Sequence, residues 1–423
     1  MATTTQSVAE LCRRAKEASH ELAPLPAEVK NAALEAIADA LEARAAEIIE
    51  ANAGDLEDGR NADLDAALLD RLALDEERIA AIATAVRDIA ALPDPVGELL
   101  EERELYNGLE LKKVRVPIGV IAIVYEARPN VTVDAAALAI KSGNAVVLRG
   151  SSMAQRSNAA LAEITASAGE AAGLPEGSVV ILPGGDRSDL LDLIQQDGLV
   201  DLVIPRGGEG LKKILKANAT VPVIYAAAGN CHVYVDGSAD VEMARRIAYN
   251  AKVQRPGVCN SAETLLVHRD IASKLIPEVF GDLHAAGVEL LVDPAARAAA
   301  GDAADGLTDA TDEDWDTEYL GLKMAVKVVD SLDEAIDHVN HHGSGHSEAI
   351  VTGDPDAGEA FTNRVDAACV YVNTSTRFTD GGEFGMGAEM GNSTQKLHAR
   401  GPLGVRELTT FKYVVHGSGQ VRE

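Results

Sequence analysis

Between residues 5 and 92 the apolar positions are mostly alanine and leucine at helical spacing, with almost no β-branched runs, and this predicts a helical region. Pro24 and Pro26 separate the first helix from the second. Asp75 follows LAL and should cap the next helix, because a short side-chain oxygen there can accept from the free amides. Pro93 and Pro95 end the region. From 103 to 125 the period changes. Asn107-Gly108 is a hairpin signal, since both residues tolerate positive φ, and the run from Val120 to Tyr125 reads as a buried strand.

Beyond that point short apolar strands alternate with helices. AVVLRG, SVVILPGG and LVDLVIPRGG are expected strands, with helices at Ser157–Ala172, Ser188–Gln196 and 209–217 between and after them, and PVIYAA closes the series as a strand. Such alternation argues for a parallel sheet covered on both faces, which suits a nucleotide-binding half. A second α/β block begins near Ala251, with strands at 263–268, 324–329, 348–352 and 369–373. The run DPAARAAAGDAADGLTDATDEDWD, 293–316, reads as an acidic loop close to disordered composition. RELTTFKYVV alternates like a strand and must pair with something, either the 103–117 ribbon or a neighbouring subunit.

Composition narrows the function. Aromatic residues are 3%, so aliphatic side chains supply the core. A chain of 423 residues implies two or three domains. No basic start leads into an apolar run, and no apolar stretch could span a bilayer. The four cysteines, Cys12, Cys231, Cys259 and Cys369, lie far apart without metal-ligand spacing, so a reducing cytoplasm is expected. The net charge of −29 disfavours nucleic acid and anionic membranes. It marks either a merely acidic protein or a halophilic-type surface, whose stability would rise toward molar salt as self-repulsion is screened.

Three groups could carry chemistry. Cys259, in QRPGVCNSAET, sits on a turn forced by Pro256 and Gly257, where a nucleophile could meet a cofactor; a free cysteine is more often a small buried hydrophobe. Asn130, in YEARPNVT, follows a buried strand on a backbone stiffened by Pro129, and its amide could donate to an oxyanion; a plain turn asparagine is the bland reading. Gly184-Gly185 and Arg206-Gly207-Gly208 each end a strand before a helix and could present amides to an anion, although glycine ends many strands. His341, His342 and His346 lie in what reads as a glycine-rich loop without a carboxylate at helical spacing, so no metal is expected.

The segments YEARPNVTVDAAALAIKSGNAVVLRG, GNCHVYVD, NAKVQRPGVCNSAETLLVH and EFGMGAEMGNSTQKLHARGPLGVRELTTFKYVV resemble the aldehyde dehydrogenase superfamily over nearly the whole chain. The resemblance implies an α/β fold in three parts. A Rossmann-type nucleotide-binding domain would take 1–102 and 118–250 with part of 379–402, a catalytic domain 251–378, and an oligomerisation ribbon 103–117 with 403–423. It implies reduction of L-glutamate 5-phosphate by NADPH to L-glutamate 5-semialdehyde and phosphate, as in proline biosynthesis, in a homo-oligomer that a glutamate 5-kinase could supply. By position Cys259 matches the nucleophile and Asn130 the oxyanion donor. Arg149, Ser151 and Ser152 fall where relatives hold the adenine ribose, and Glu318 where a glutamate holds the nicotinamide ribose. Arg128, Lys396, His398 and Arg400 are candidates for the substrate's anionic groups, with surface ion pairing the default for the cations.

One departure is informative. Hydrolytic relatives carry a water-activating glutamate before the nucleophile, whereas Tyr225 to Ala228 contain no carboxylate, which favours a reductase. Two alternatives stand beside this reading: a coenzyme A-dependent acylating dehydrogenase, and an inactive binding or scaffold protein derived from an enzyme.

Overall fold

The computed structural model describes residues 6–183, 186–225 and 229–422. The chain forms two compact units: 1–225 with 385–391 and 403–423, and 226–384 with 392–402.

In the first unit, five helices precede the strands: Val8–Leu22, Ala27–Ala43, Ala45–Asn61, Ala66–Leu72 and Glu76–Ala91. The caps follow from sequence. Ser7 and Glu10 form a capping box on the first, and Asp75 accepts from the Arg78 amide on the last. Strands β1 (Leu99–Glu104) and β2 (Glu110–Pro117) are antiparallel, and Gly108 takes φ +77 in the turn between them. The ribbon thus starts earlier than the expected residue 103, because LLEERE carries no apolar alternation to mark it. Strands β3 (Val120–Tyr125), β4 (Ala145–Arg149), β5 (Val179–Ile181) and β6 (Leu202–Arg206) form a parallel sheet in the order β5-β4-β3-β6. All six residues of β3 are buried, as a strand packed on both faces requires. PVIYAA does not form a strand among the described residues. Only Val223 bridges to Val203, and Pro222 has no amide hydrogen to extend the pairing. Ala226–Ala228 lie outside the described residues.

The second unit opens earlier than the expected residue 251. Strand β7 (Cys231–Val235) is fully buried and pairs in parallel with β8 (Ala262–His268). It continues with β9 (Glu289–Val292), β10 (Thr308–Asp309), β11 (Lys323–Val329), β12 (Ser347–Val351) and β13 (Cys369–Val372), giving a seven-stranded sheet in the order β10-β9-β11-β8-β7-β12-β13. Because β7 sits between β8 and β12, it and the helix Val241–Val253 that follows fall in the second unit and not in the preceding one. Of 379–402, expected in part with the nucleotide-binding domain, 385–391 goes to the first unit and the rest to the second.

The acidic segment is ordered rather than loop-like. Asp293 caps helix Pro294–Ala300, β10 adds to the sheet, and Thr311 with Asp314 forms a capping box on a short 3-10 turn. His341 and His342 end helix Leu332–His342 rather than lying in a loop, whereas His346 is buried in the short glycine-containing connection before β12. Among the described residues no group of three His, Cys, Asp or Glu side chains could hold a metal ion, and no helix is long and apolar enough to cross a membrane.

Short strands β14 (Asn392–Ser393) and β15 (Gly401–Pro402) pair with each other. Strand β16 (Thr409–His416) returns to the first unit and pairs antiparallel along all of β2. The ribbon therefore supplies the partner that the C-terminal strand needs.

Candidate active site

The turn bearing Cys259 is built from both sides. Helix Val241–Val253, capped by Asp240, runs into it, and β8 runs out. The Ser261 amide donates to the Val258 carbonyl, which closes the turn. Asn260 is buried. Its Nδ2 donates to the carbonyls of Thr379 at 2.9 Å and Arg377 at 3.4 Å, and its own carbonyl accepts from Thr376 Oγ1 at 2.7 Å. Arg377 Nε also donates to Gln254 Oε1. The segment 376–379 thus holds the turn while the Cys259 side chain stays exposed. Cys12, Cys231 and Cys369 are buried, and none of the four cysteines is in a disulfide.

The floor beneath the nucleophile candidate comes from the start of β7. Cys231 Sγ donates to the Cys259 carbonyl at 3.2 Å, and burial pushes the Cys231 thiol well above its ordinary pKa, so it acts as a neutral donor. Gly229 packs so tightly that a Cβ there would come within 1.8 Å of the Cys259 carbonyl oxygen. The Gly229 amide donates to Glu318 Oε1 at 2.6 Å. Glu318 therefore spends one carboxylate oxygen on this backbone. Asn230 fastens the same segment through Nδ2 to the carbonyls of Trp315 and His342.

A buried ion pair backs the helix and strand on either side of the turn. Lys252 and Glu263 have no exposed side-chain surface and meet at 2.5 Å. Glu263 Oε1 also accepts from the amide of Leu320, a non-glycine residue at φ +53. Burial raises the Glu263 carboxyl to about 7, with the Lys252 charge drawing it back.

Two of the remaining expected residues of this unit cluster on one acid. Lys396 Nζ and Arg400 Nη1 both pair with Asp366, and Arg400 Nη2 donates to its carbonyl. His398 is exposed. Sequence reasoning passed over Gly229, Asn260 as a clamp, and the Lys252–Glu263 pair. The GNC segment was the one signal that could have drawn attention to Gly229.

In the first unit, Asn130 opens helix Asn130–Lys141 directly after Pro129, and Arg128 is exposed two residues before. Asn130 is half-buried, and its Nδ2 donates to Asp134 Oδ2 at 2.9 Å. Arg149 ends β4. Its Nη2 donates to the Asp186 carbonyl at 3.2 Å, and its Nε is buried with no partner among the described residues. Ser151 caps a short turn by accepting from the Met153 amide, and Ser152 is exposed. Gly184 and Gly185 lie outside the described residues. Arg206 ends β6, and the Gly207–Gly208 turn that follows is partly occupied: the Gly208 amide donates to Glu126 Oε2 at 3.3 Å. A Cβ at Gly207 would come within 2.8 Å of that carboxylate. A carboxylate of the chain thus already holds one amide expected to face an anion.

The aldehyde dehydrogenase family profile matches residues 1–297 and 308–414. The chain belongs to the aldehyde dehydrogenase family. Among members of this family, it is 53% identical over 410 residues to a curated gamma-glutamyl phosphate reductase from Heliobacterium modesticaldum, covering 97% of each chain. A crystal structure of gamma-glutamyl phosphate reductase from Thermotoga maritima superposes with a TM-score of 0.96 at 46% identity, over 99% of this chain and 100% of that one. An acetylating aldehyde dehydrogenase from Geobacillus thermoglucosidasius gives a TM-score of 0.69 at 20% identity, over 98% and 97% of the two chains, a likeness of fold alone. The α/β architecture is thus that of the aldehyde dehydrogenase family.

Proposed function

We propose that the chain reduces L-glutamate 5-phosphate, the substrate its relatives' name describes, with NADPH to L-glutamate 5-semialdehyde and phosphate through a thioester on Cys259. The observation that carries this reading is the exposed Cys259 on a turn clamped by Asn260, where the other three cysteines of the chain are buried. The coenzyme A-dependent alternative rests on likenesses of fold alone, at 16% and 15% identity.

In this mechanism the Cys259 thiolate attacks the acyl phosphate carbon, Asn130 donates to the oxyanion, and phosphate leaves with the bonding electrons. NADPH, when bound, supplies hydride to the thioester carbon. The thiohemiacetal then releases aldehyde and regenerates the Cys259 thiol. We assign cofactor binding to the first unit and the nucleophile to the second, with Glu318 offering its second carboxylate oxygen to a ribose. Arg128, Lys396, His398 and Arg400 remain the candidates for the substrate's anionic groups, with Asp366 the group that a ligand on Lys396 and Arg400 would have to displace. A cytoplasmic enzyme supplied by a glutamate 5-kinase fits the lability of an acyl phosphate.

The reading is tested in reverse. With semialdehyde, NADP and enzyme in phosphate-free buffer, steady NADPH formation should be absent and should return when phosphate is added. NADPH formation matched by glutamate in that buffer would show water to be the acyl acceptor and would end the reductase assignment.

The cofactor elements fit a 2′-phosphate. Arg149 Nε has no partner among the described residues, and by the resemblance exposed Ser152 takes the place of a carboxylate that would repel the phosphate. Arg149→Ala should cut the NADPH-over-NADH ratio of kcat/KM by roughly tenfold or more, the scale of one charged hydrogen bond. An unchanged ratio would move selectivity elsewhere.

We also place a homo-oligomer contact on the ribbon. Phe411, Tyr413 and Val415 share one face of β16 and are 43%, 54% and 49% exposed, an apolar row unusual for a solvent face. Tyr413→Asp should lower the particle mass measured by light scattering, and an unchanged mass would exclude this face.

A further inference from the structure

The Asn130 amide is not left to orient itself. One of its two N–H groups is committed to Asp134 Oδ2 at 2.9 Å, one helical turn along, and the other has no partner among the described residues. A side-chain amide can present either its oxygen or its nitrogen to a neighbour, and in an oxyanion donor the wrong choice puts a carbonyl oxygen where the N–H is needed. An ionised carboxylate accepts only, so Asp134 settles the choice. Burial pushes the Asp134 carboxyl up to about 6, with the Asn130 hydrogen bond and the Arg206 charge drawing it back, so at neutral pH it is mostly the acceptor-only form. Arg206 is itself confined, since a Cβ on Gly391 would come within 2.6 Å of its guanidinium.

We infer that Asp134 is a positioning residue for the reaction: it fixes the rotation of the Asn130 amide so that the remaining N–H faces the oxyanion. Asp134 touches no reacting atom in this scheme and acts only through Asn130. The inference rests on the proposed role of Asn130, and the experiment separates the two.

The readout is the pre-steady-state burst of NADPH from semialdehyde and NADP, which reports formation of the thioester. Asn130→Ala should slow the burst about 100-fold, the usual effect of losing one oxyanion donor. Asp134→Ala should slow it about 10- to 100-fold, the scale of a misplaced group, while KM for semialdehyde and for NADP stays within about twofold. In the double variant, removing Asp134 should cost nothing beyond Asn130→Ala, because its path of action is already gone. An Asp134→Ala loss of the same factor in both backgrounds, or none in either, would overturn the inference while leaving Asn130 in place. A wild-type burst in Asn130→Ala would remove the oxyanion reading itself. Should Asp134→Ala not fold, Asp134→Asn keeps the volume while removing the acceptor-only constraint, and the same cycle decides with an expected loss of about tenfold.

Discussion

Replacing Cys259 with alanine should abolish turnover, by about 10⁴-fold or more, since the loss of a covalent nucleophile leaves only binding and electrostatics. Binding of NADPH, followed by fluorescence titration, should be nearly unchanged, because the substitution touches an exposed side chain. Cys12→Ala and Cys369→Ala should keep turnover and lose some stability as cavities open around buried sulfur. Cys231→Ala should fall between them. It removes the donor on the Cys259 carbonyl without touching the nucleophile, so kcat should fall while labelling of Cys259 by iodoacetamide persists. Full activity in Cys259→Ala would end the covalent mechanism.

The second large effect is on stability. Lys252 and Glu263 are wholly buried, and burying a charge is tolerable only with its partner. Lys252→Met should therefore cost about 3–5 kcal/mol in chemical denaturation, whereas Lys252→Met with Glu263→Leu should recover most of it. The pH dependence has a definite sign. Glu263 has a folded pKa of about 7, above its reference value of 4.5, so its proton is held more tightly in the folded chain and its contribution to stability falls as pH rises through that window. Without Lys252 the carboxyl is pushed higher still. The deficit of Lys252→Met should be largest near pH 8 and shrink toward pH 5, where Glu263 is neutral. A deficit independent of pH would mean that packing, not charge, makes up the loss.

Much of the fold was legible because buried parallel strands are continuous apolar runs, as in β3 and β4. Strand β7 was missed for the opposite reason. CHVYV begins with a thiol and an imidazole, and His232 is tolerated inside only because Glu348, 116 residues away on β12, accepts from its backbone amide and lies 3.0 Å from its Nδ1. That long-range pairing moved the start of the second unit from 251 to 226. The acidic segment misled through composition: Asp293, Thr311 and Asp314, which lower its hydropathy, are the residues that cap its helix and turn. Cys259 in the second unit and Asn130 in the first were marked by their local sequence, whereas Gly229, Glu263 and the Asn260 clamp owe their places to segments distant in sequence. Asp134 is an intermediate case, since an asparagine and an aspartate four residues apart on a helix share a face.

The pairing of β2 with β16 also sets an order of events during synthesis. Arg115 and its hydrogen-bond partner Thr409 are 294 residues apart. At roughly 5–20 residues per second, β2 leaves the ribosome about 15–60 s before its partner exists. For that interval β1 and β2 form a bare two-stranded hairpin, marginal alone and open along the edge that β16 will cover. The charges strung along it, among them Glu101, Glu102, Arg103, Lys112 and Lys113, are the kind that keep an uncovered edge from pairing with other nascent chains.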